Sequence, residues 1–113
     1  MISTVDIAWA AGVFEGEGNV RAAVNKRSNR GPSYPSVVVD QKDRWILDKL
    51  QRLFGGHVMA YEGFYGTYHR WSIHGPLALG FMFTIYTFLS PRRIHQFHES
   101  LKDCSGFNNL LLG

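Results

Sequence analysis

One cysteine, Cys104, stands in a chain of 113 residues. A lone thiol closes no internal disulfide, which excludes a cross-linked secreted scaffold and fits a reducing compartment. Cys104 reads as an ordinary small side chain near a helix end. The N-terminal MISTVD lacks the basic stretch of a secretory signal. The longest apolar run, PLALGFMFTIYTFL from Pro76 to Leu89, falls short of the roughly 20 residues that span a bilayer and reads as a buried helix. The histidines (His57, His69, His74, His95, His98) have no matching cysteine or second pair, and although His95 and His98 share a helix face, no tetrahedral zinc set is legible. Gly12, Gly16 and Gly18 lie where a helix leads into a strand, the reverse of the element order a dinucleotide fingerprint needs. No Ser/His/Asp arrangement and no solenoid-period repeat is readable. The expectation is an intracellular, soluble domain with no membrane and no small-molecule substrate.

What is present is a moderate supply of core-formers. Hydrophobic residues make up 45% and charged residues 19%, which suits one globular domain over residues 1–113. The net charge of +3 leans towards a polyanionic partner.

Ser3 caps a helix with Asp6 at its third position, and Ile7, Ala10, Ala11 and Phe14 follow the helical stripe up to a stop near Gly16–Gly18. NVRAAVNKR alternates as a strand, SNRGPSYP turns at Gly31-Pro32, and SVVVDQK alternates again, so the two strands form a hairpin. DRWILDKLQRLFGG is a helix capped by Asp43, with a stripe of Trp45, Ile46, Leu50, Leu53 and Phe54 and a stop at Gly55-Gly56. HVMAYE and TYHRWSIH form a second hairpin across GFYG, followed by the helix from Pro76 and another opened by Pro91. Trp45 and Trp71 both fall on stripes that point to the core. The helix–hairpin unit thus occurs twice, which argues for an α+β fold: one antiparallel sheet with helices on one face.

The first helix has a second, odd face. Ala8, Gly12 and Gly16 recur every four residues, and glycines inside a helix each cost about 1 kcal/mol relative to alanine. Either this stripe packs on the domain's own sheet, or it lets a second copy of the helix approach closely. Glu15 and Glu17 add to the puzzle, because a helix C-terminus disfavours acids. Two helices crossing at Gly12 and Gly16 would bring two Glu17 carboxylates to a common axis, where a divalent cation such as Mg²⁺ takes one or two protein oxygens and fills its other positions with phosphate and water.

AAGVFEGEG, Ala10 to Gly18, resembles the LAGLIDADG motif position for position. VDQK at the end of the second strand, RWILDKL in the second helix and FLSPRRIHQ at the start of the last helix strengthen a resemblance to single-motif LAGLIDADG homing endonucleases along nearly the whole chain. That resemblance implies an α-β-β-α-β-β-α domain with a DNA-binding saddle. It also implies a homodimer that hydrolyses both strands of a long, near-palindromic duplex site with Mg²⁺ or Mn²⁺, leaving short 3′ overhangs. By position in the motif, Glu17 is the metal ligand and Glu15 is structural at the helix junction. Gln41 organises the attacking water, and Arg92, with Arg93 as competitor, stabilises charge at the cleaved phosphate. Glu17, Gln41 and Arg92 form the expected catalytic set, and Ala8, Gly12, Phe14, Glu15 and Gly16 the expected dimer interface. Bottom-up chemistry agrees: phosphodiester hydrolysis needs an activated water and positive charge at the developing oxyanion.

A sheet with helices on one side leaves its other face for double-stranded DNA. Alternation gives that face Arg21, Ala23, Asn25 and Arg27 from the first strand, and Tyr34, Ser36, Val38 and Asp40 from the second. The second hairpin adds His57, Met59 and Tyr61, then Tyr68, Arg70 and Ser72. Arginine and asparagine suit base edges in the major groove, whereas Lys26, Arg30 and Lys42 are expected at phosphates. The competing function is a non-catalytic binder on the same scaffold, an intron-splicing RNA maturase or a DNA-binding regulator. Fold alone does not separate the two.

Overall fold

The computed structural model describes residues 2–22 and 34–104. Helix α1 spans Thr4–Glu17, strand β1 Gly18–Ala22, β2 Pro35–Gln41, α2 Arg44–Phe54, β3 His57–Gly63, β4 Gly66–His74, α3 Gly75–Ile85 and α4 Pro91–Lys102, with one 3-10 turn at Tyr86–Phe88. The strands form a single antiparallel sheet in the order β1-β2-β4-β3. Each helix–hairpin unit contributes one edge strand and one inner strand, and β2 and β4 pair at the centre. The α+β architecture expected from the sequence is the one observed.

Local signals set the element ends. The Ser3 side chain accepts from the Asp6 amide at 3.1 Å, satisfying one of the free donors at the start of α1. Gly55 and Gly56, both at positive φ, end α2 and turn the chain into β3. The turn leaves no room at Gly56, where a Cβ would stand 2.6 Å from the Ser72 carbonyl oxygen. Ser90 caps α4 and Pro91 occupies its first turn.

The core lies between the sheet and the helices. Phe81 on α3 is its hub, with edge-to-face contacts to Phe54 at 4.8 Å, Trp71 at 5.1 Å and Phe14 at 6.2 Å between ring centres. Trp71 is fully buried and its indole N–H donates to the Gly55 carbonyl at 2.8 Å. Val37 and Val39 of β2 point into this layer, as alternation requires.

Two expectations need correction. Trp45 is not in the core: it is 62% exposed, and Leu47 and Leu50 hold the buried positions of α2. The stripe sits one residue further round, because Leu47 and Leu50 are one helical turn apart and together face the sheet. The segment Pro76–Leu89 is not one buried helix either. It breaks after Ile85 into the 3-10 turn, and Leu77, Phe83 and Phe88 remain exposed while Ala78, Phe81, Met82 and Ile85 are buried. No helix among the described residues is long and apolar enough to cross a membrane.

Candidate active site and nucleic-acid interface

The last turn of α1 is tied to the first turn of α4. Glu15 accepts from the Ser90 amide at 2.7 Å and from the Ser90 hydroxyl at 2.9 Å. A carboxylate disfavoured at its own helix terminus therefore sits against the N-terminus of another, where donors and dipole favour it. Chiefly the Ser90 amide, then its hydroxyl and the guanidinium groups of Arg93 and Arg92, hold the Glu15 carboxyl below its usual range against the opposing effect of burial.

Arg93 completes the joint. Its Nε and Nη2 donate to the Glu15 carbonyl at 3.2 and 3.0 Å, its Nη1 donates to Gln96 Oε1 at 2.9 Å, and its guanidinium lies 5.2 Å from the Phe14 ring centre. The Arg93 side chain is only 9% exposed, enclosed within this joint. Arg92, one residue earlier, keeps its side chain 65% exposed, with Nη2 4.0 Å from Glu15 Oε2.

Glu17 is the final residue of α1, is exposed, and makes no hydrogen bond or ion pair among the described residues. Its placement is fixed by the next residue: a Cβ at Gly18 would stand 2.2 Å from Phe14 Cδ2, so only glycine lets the helix run directly into β1. Gly18, the first residue of β1, pairs with Val39 of β2, and half-buried Gln41 ends β2 two residues beyond that rung. Glu17 and Gln41 thus share one end of the sheet. Among the described residues no three His, Cys, Asp or Glu side chains cluster as a metal cage.

The odd stripe of α1 faces outward. Ala8, Gly12 and Gly16 are exposed, and a Cβ at Gly12 or Gly16 would meet nothing within 4 Å, so the glycines do not pack on this domain's own sheet. Phe14, expected at a dimer interface, is instead 1% exposed in the core, because it lies on the opposite side of the helix with Ala10 and Ala11.

On the open sheet face, register places Arg21 beside Ser36, Val38 beside Ser72, and Asp40 beside Arg70, with Met59 on the far side of Arg70. Tyr61 and Tyr68 pair across β3–β4 and stack at 5.8 Å. Ser36 and Ser72 share this face but are only 5% and 8% exposed, being enclosed mid-sheet, and Ser36 Oγ is hydrogen bonded to His74 Nδ1 at 2.9 Å. Tyr34 is 40% exposed and Met59 57%. Ala23, Asn25, Lys26, Arg27 and Arg30 lie outside the described residues. Asn19, opposite Val38, belongs to the face and was missed, although alternation back from Arg21 would have found it. Phe64 and Tyr65 are 93% and 77% exposed at the β3–β4 turn.

No protein-family model matches the sequence. No curated protein matches it either. Solved structures do match in shape. The homing endonuclease I-CvuI, in complex with its target and with calcium present, superposes with a TM-score of 0.63 at 17% identity, covering 83% of this chain and 62% of that one. The group I intron-encoded homing endonuclease I-CeuI, complexed with DNA, gives 0.66 at 18% identity over 97% of this chain and 58% of its own. The I-SmaMI LAGLIDADG homing endonuclease, bound to cleaved DNA, gives 0.51 at 19% identity over 70% and 29%. The chain spans about 62% of the length of I-CvuI.

Proposed function

We propose that this chain, which has the fold of the LAGLIDADG homing endonucleases, is a homodimeric, divalent-metal-dependent endonuclease that cuts both strands of a specific DNA site. The observation that carries the reading is Glu17: an exposed carboxylate without a partner among the described residues, at the end of a helix whose exposed stripe is Ala8, Gly12 and Gly16. The DNA complexes of the homing endonucleases I-CvuI and I-CeuI support DNA as the partner, and the sheet face left free by the helices offers it a seat.

The donor set fits Mg²⁺ or Mn²⁺. Among the described residues one chain offers Glu17 and no cage, which suits a cation sharing ligands with phosphate, water and a second copy. Glu17 from each copy would hold the ion, which when bound lowers the pKa of water and neutralises phosphate charge. Hydrolysis joins a water oxygen to phosphorus and releases the sugar oxygen as an alcohol. Gln41, at the same sheet end, can accept from and donate to that water and so aim it. Arg92 brings mobile positive charge towards the phosphate. Arg93 and Glu15 lock the α1–α4 joint that positions Glu17 and Arg92 together.

The test is a cleavage selection on randomised duplexes with Mg²⁺, wild type beside Glu17→Gln. Wild type is expected to enrich cut, near-palindromic sites, while Glu17→Gln loses cutting by about two to three orders of magnitude and still retains the same duplex on a filter. Retention of one duplex without cutting by either protein would replace the nuclease with a DNA-binding regulator. Preference for structured RNA would replace it with a maturase.

A further inference from the structure

Arg70 lies on the inner strand β4, facing the open side of the sheet. Its Nε donates to Asp40 Oδ1 at 2.7 Å and its Nη2 to Asp40 Oδ2 at 2.9 Å, across the rung at which the two residues pair. The Tyr61 ring centre is 5.3 Å from its guanidinium carbon, and Tyr61 is itself stacked on Tyr68. A flexible side chain is thus held along one edge and one face.

A guanidinium carries five N–H donors in a rigid fork. The paired carboxylate takes Nε–H and one hydrogen of Nη2, leaving both hydrogens of Nη1 and the other of Nη2. Apart from the Tyr61 hydroxyl, which lies within reach of both Arg70 and Asp40, no acceptor among the described residues takes these, and the side chain is 38% exposed. The end of the fork therefore presents two parallel donors to the sheet face. A phosphate or a guanine edge could accept both. Asp40 decides between them, because the pair carries no net charge: a phosphate gains little attraction there and meets a carboxylate. A guanine is neutral and offers O6 and N7 at the spacing of the fork.

We propose that Arg70, held in place by Asp40 and Tyr61, is a preset reader of one guanine in each half of the DNA site. Asp40 is a positioning residue that touches no base. The inference rests on the DNA-binding reading above. The Arg70 guanidinium also draws the Asp40 carboxyl below its usual range, so the brace stays charged in mildly acidic buffer.

The experiment is recovery and sequencing of randomised duplexes retained by wild-type, Arg70→Lys and Asp40→Asn proteins, in EDTA and again with calcium. Wild type is expected to select guanine at one position per half-site. Arg70→Lys should lower that preference about tenfold and leave the other positions intact. Asp40→Asn should weaken the same position while steepening the salt dependence of binding by about one phosphate contact, since a freed guanidinium turns to the backbone. An unchanged site preference in Arg70→Lys overturns the proposal. So does a uniform loss of affinity with a shallower salt slope, the mark of a phosphate contact. If thermal melting shows Arg70→Lys unfolded, the position-specific effect of Asp40→Asn decides. A wild-type protein that selects no consensus overturns the DNA-binding reading itself, an outcome distinct from a consensus indifferent to Arg70.

Discussion

Glu15 and Glu17 stand two residues apart and have opposite fates. Glu15 is used within the fold, braced by Ser90 and Arg93; Glu17 points away from it. The sequence made both acids conspicuous, and the motif resemblance separated their roles. What no local pattern could supply was the partner of Glu15, because Ser90 is 75 residues away. Replacing Ser90 with alanine removes both a cap and a carboxylate contact, and should lower unfolding free energy by about 1–2 kcal/mol in denaturant titrations. The joint also sets an acid limit. Glu15 and Asp40 have carboxyls held below the usual carboxylate range, chiefly by the Ser90 amide and the Arg70 side chain respectively. A depressed carboxyl contributes stability above its unfolded value that is lost as pH falls through the folded one. The melting temperature should therefore hold from neutrality to about pH 5 and fall below it, and Glu15→Gln should start lower and flatten that decline. An equally steep acid limb in Glu15→Gln would remove Glu15 as a cause.

At the scale of elements, capping and glycine chemistry made boundaries readable, as Ser3, Gly55-Gly56 and Pro91 show. Rotation of a helix about its axis was less so. In α2 the sequence offers apolar residues at Trp45, Ile46, Leu47, Leu50, Leu53 and Phe54, a band wide enough for several orientations, and packing against the sheet selects Leu47 and Leu50. In α1 the same ambiguity is absent, since Ala10, Ala11 and Phe14 fill one side and the glycines occupy another. That separation gives a clean prediction. Gly12→Ala gains about 1 kcal/mol of helix propensity with no internal clash, so the isolated fold should melt no lower than wild type. Gly12→Leu should fold equally well yet sediment as a monomer, because the added side chain blocks only an external helix contact. An intact Gly12→Leu dimer would exclude α1 crossing as the interface.

At the scale of the whole molecule, strand order was beyond the sequence: two hairpins can meet through either strand, and only tertiary packing places β2 beside β4 at the centre. That order puts the start of β1, just after Glu17, at the same end of the sheet as Gln41, and sets Arg70 on the open face opposite Asp40. On the proposed mechanism one chain holds half of what hydrolysis needs: Glu17 at the end of α1 and, among the described residues, no metal cage. A requirement for two copies should appear in kinetics. When the protein is diluted well below its dimer dissociation constant, the cleavage rate should rise with about the square of chain concentration, because the active species forms by pairing. Adding EDTA should stop cutting and leave duplex retention in place, since the sheet face binds through side chains and the ion serves the chemistry. First-power dependence down to the lowest measurable concentration would mean that one chain cuts alone, and would move the second carboxylate from a partner copy to some other residue of the same chain.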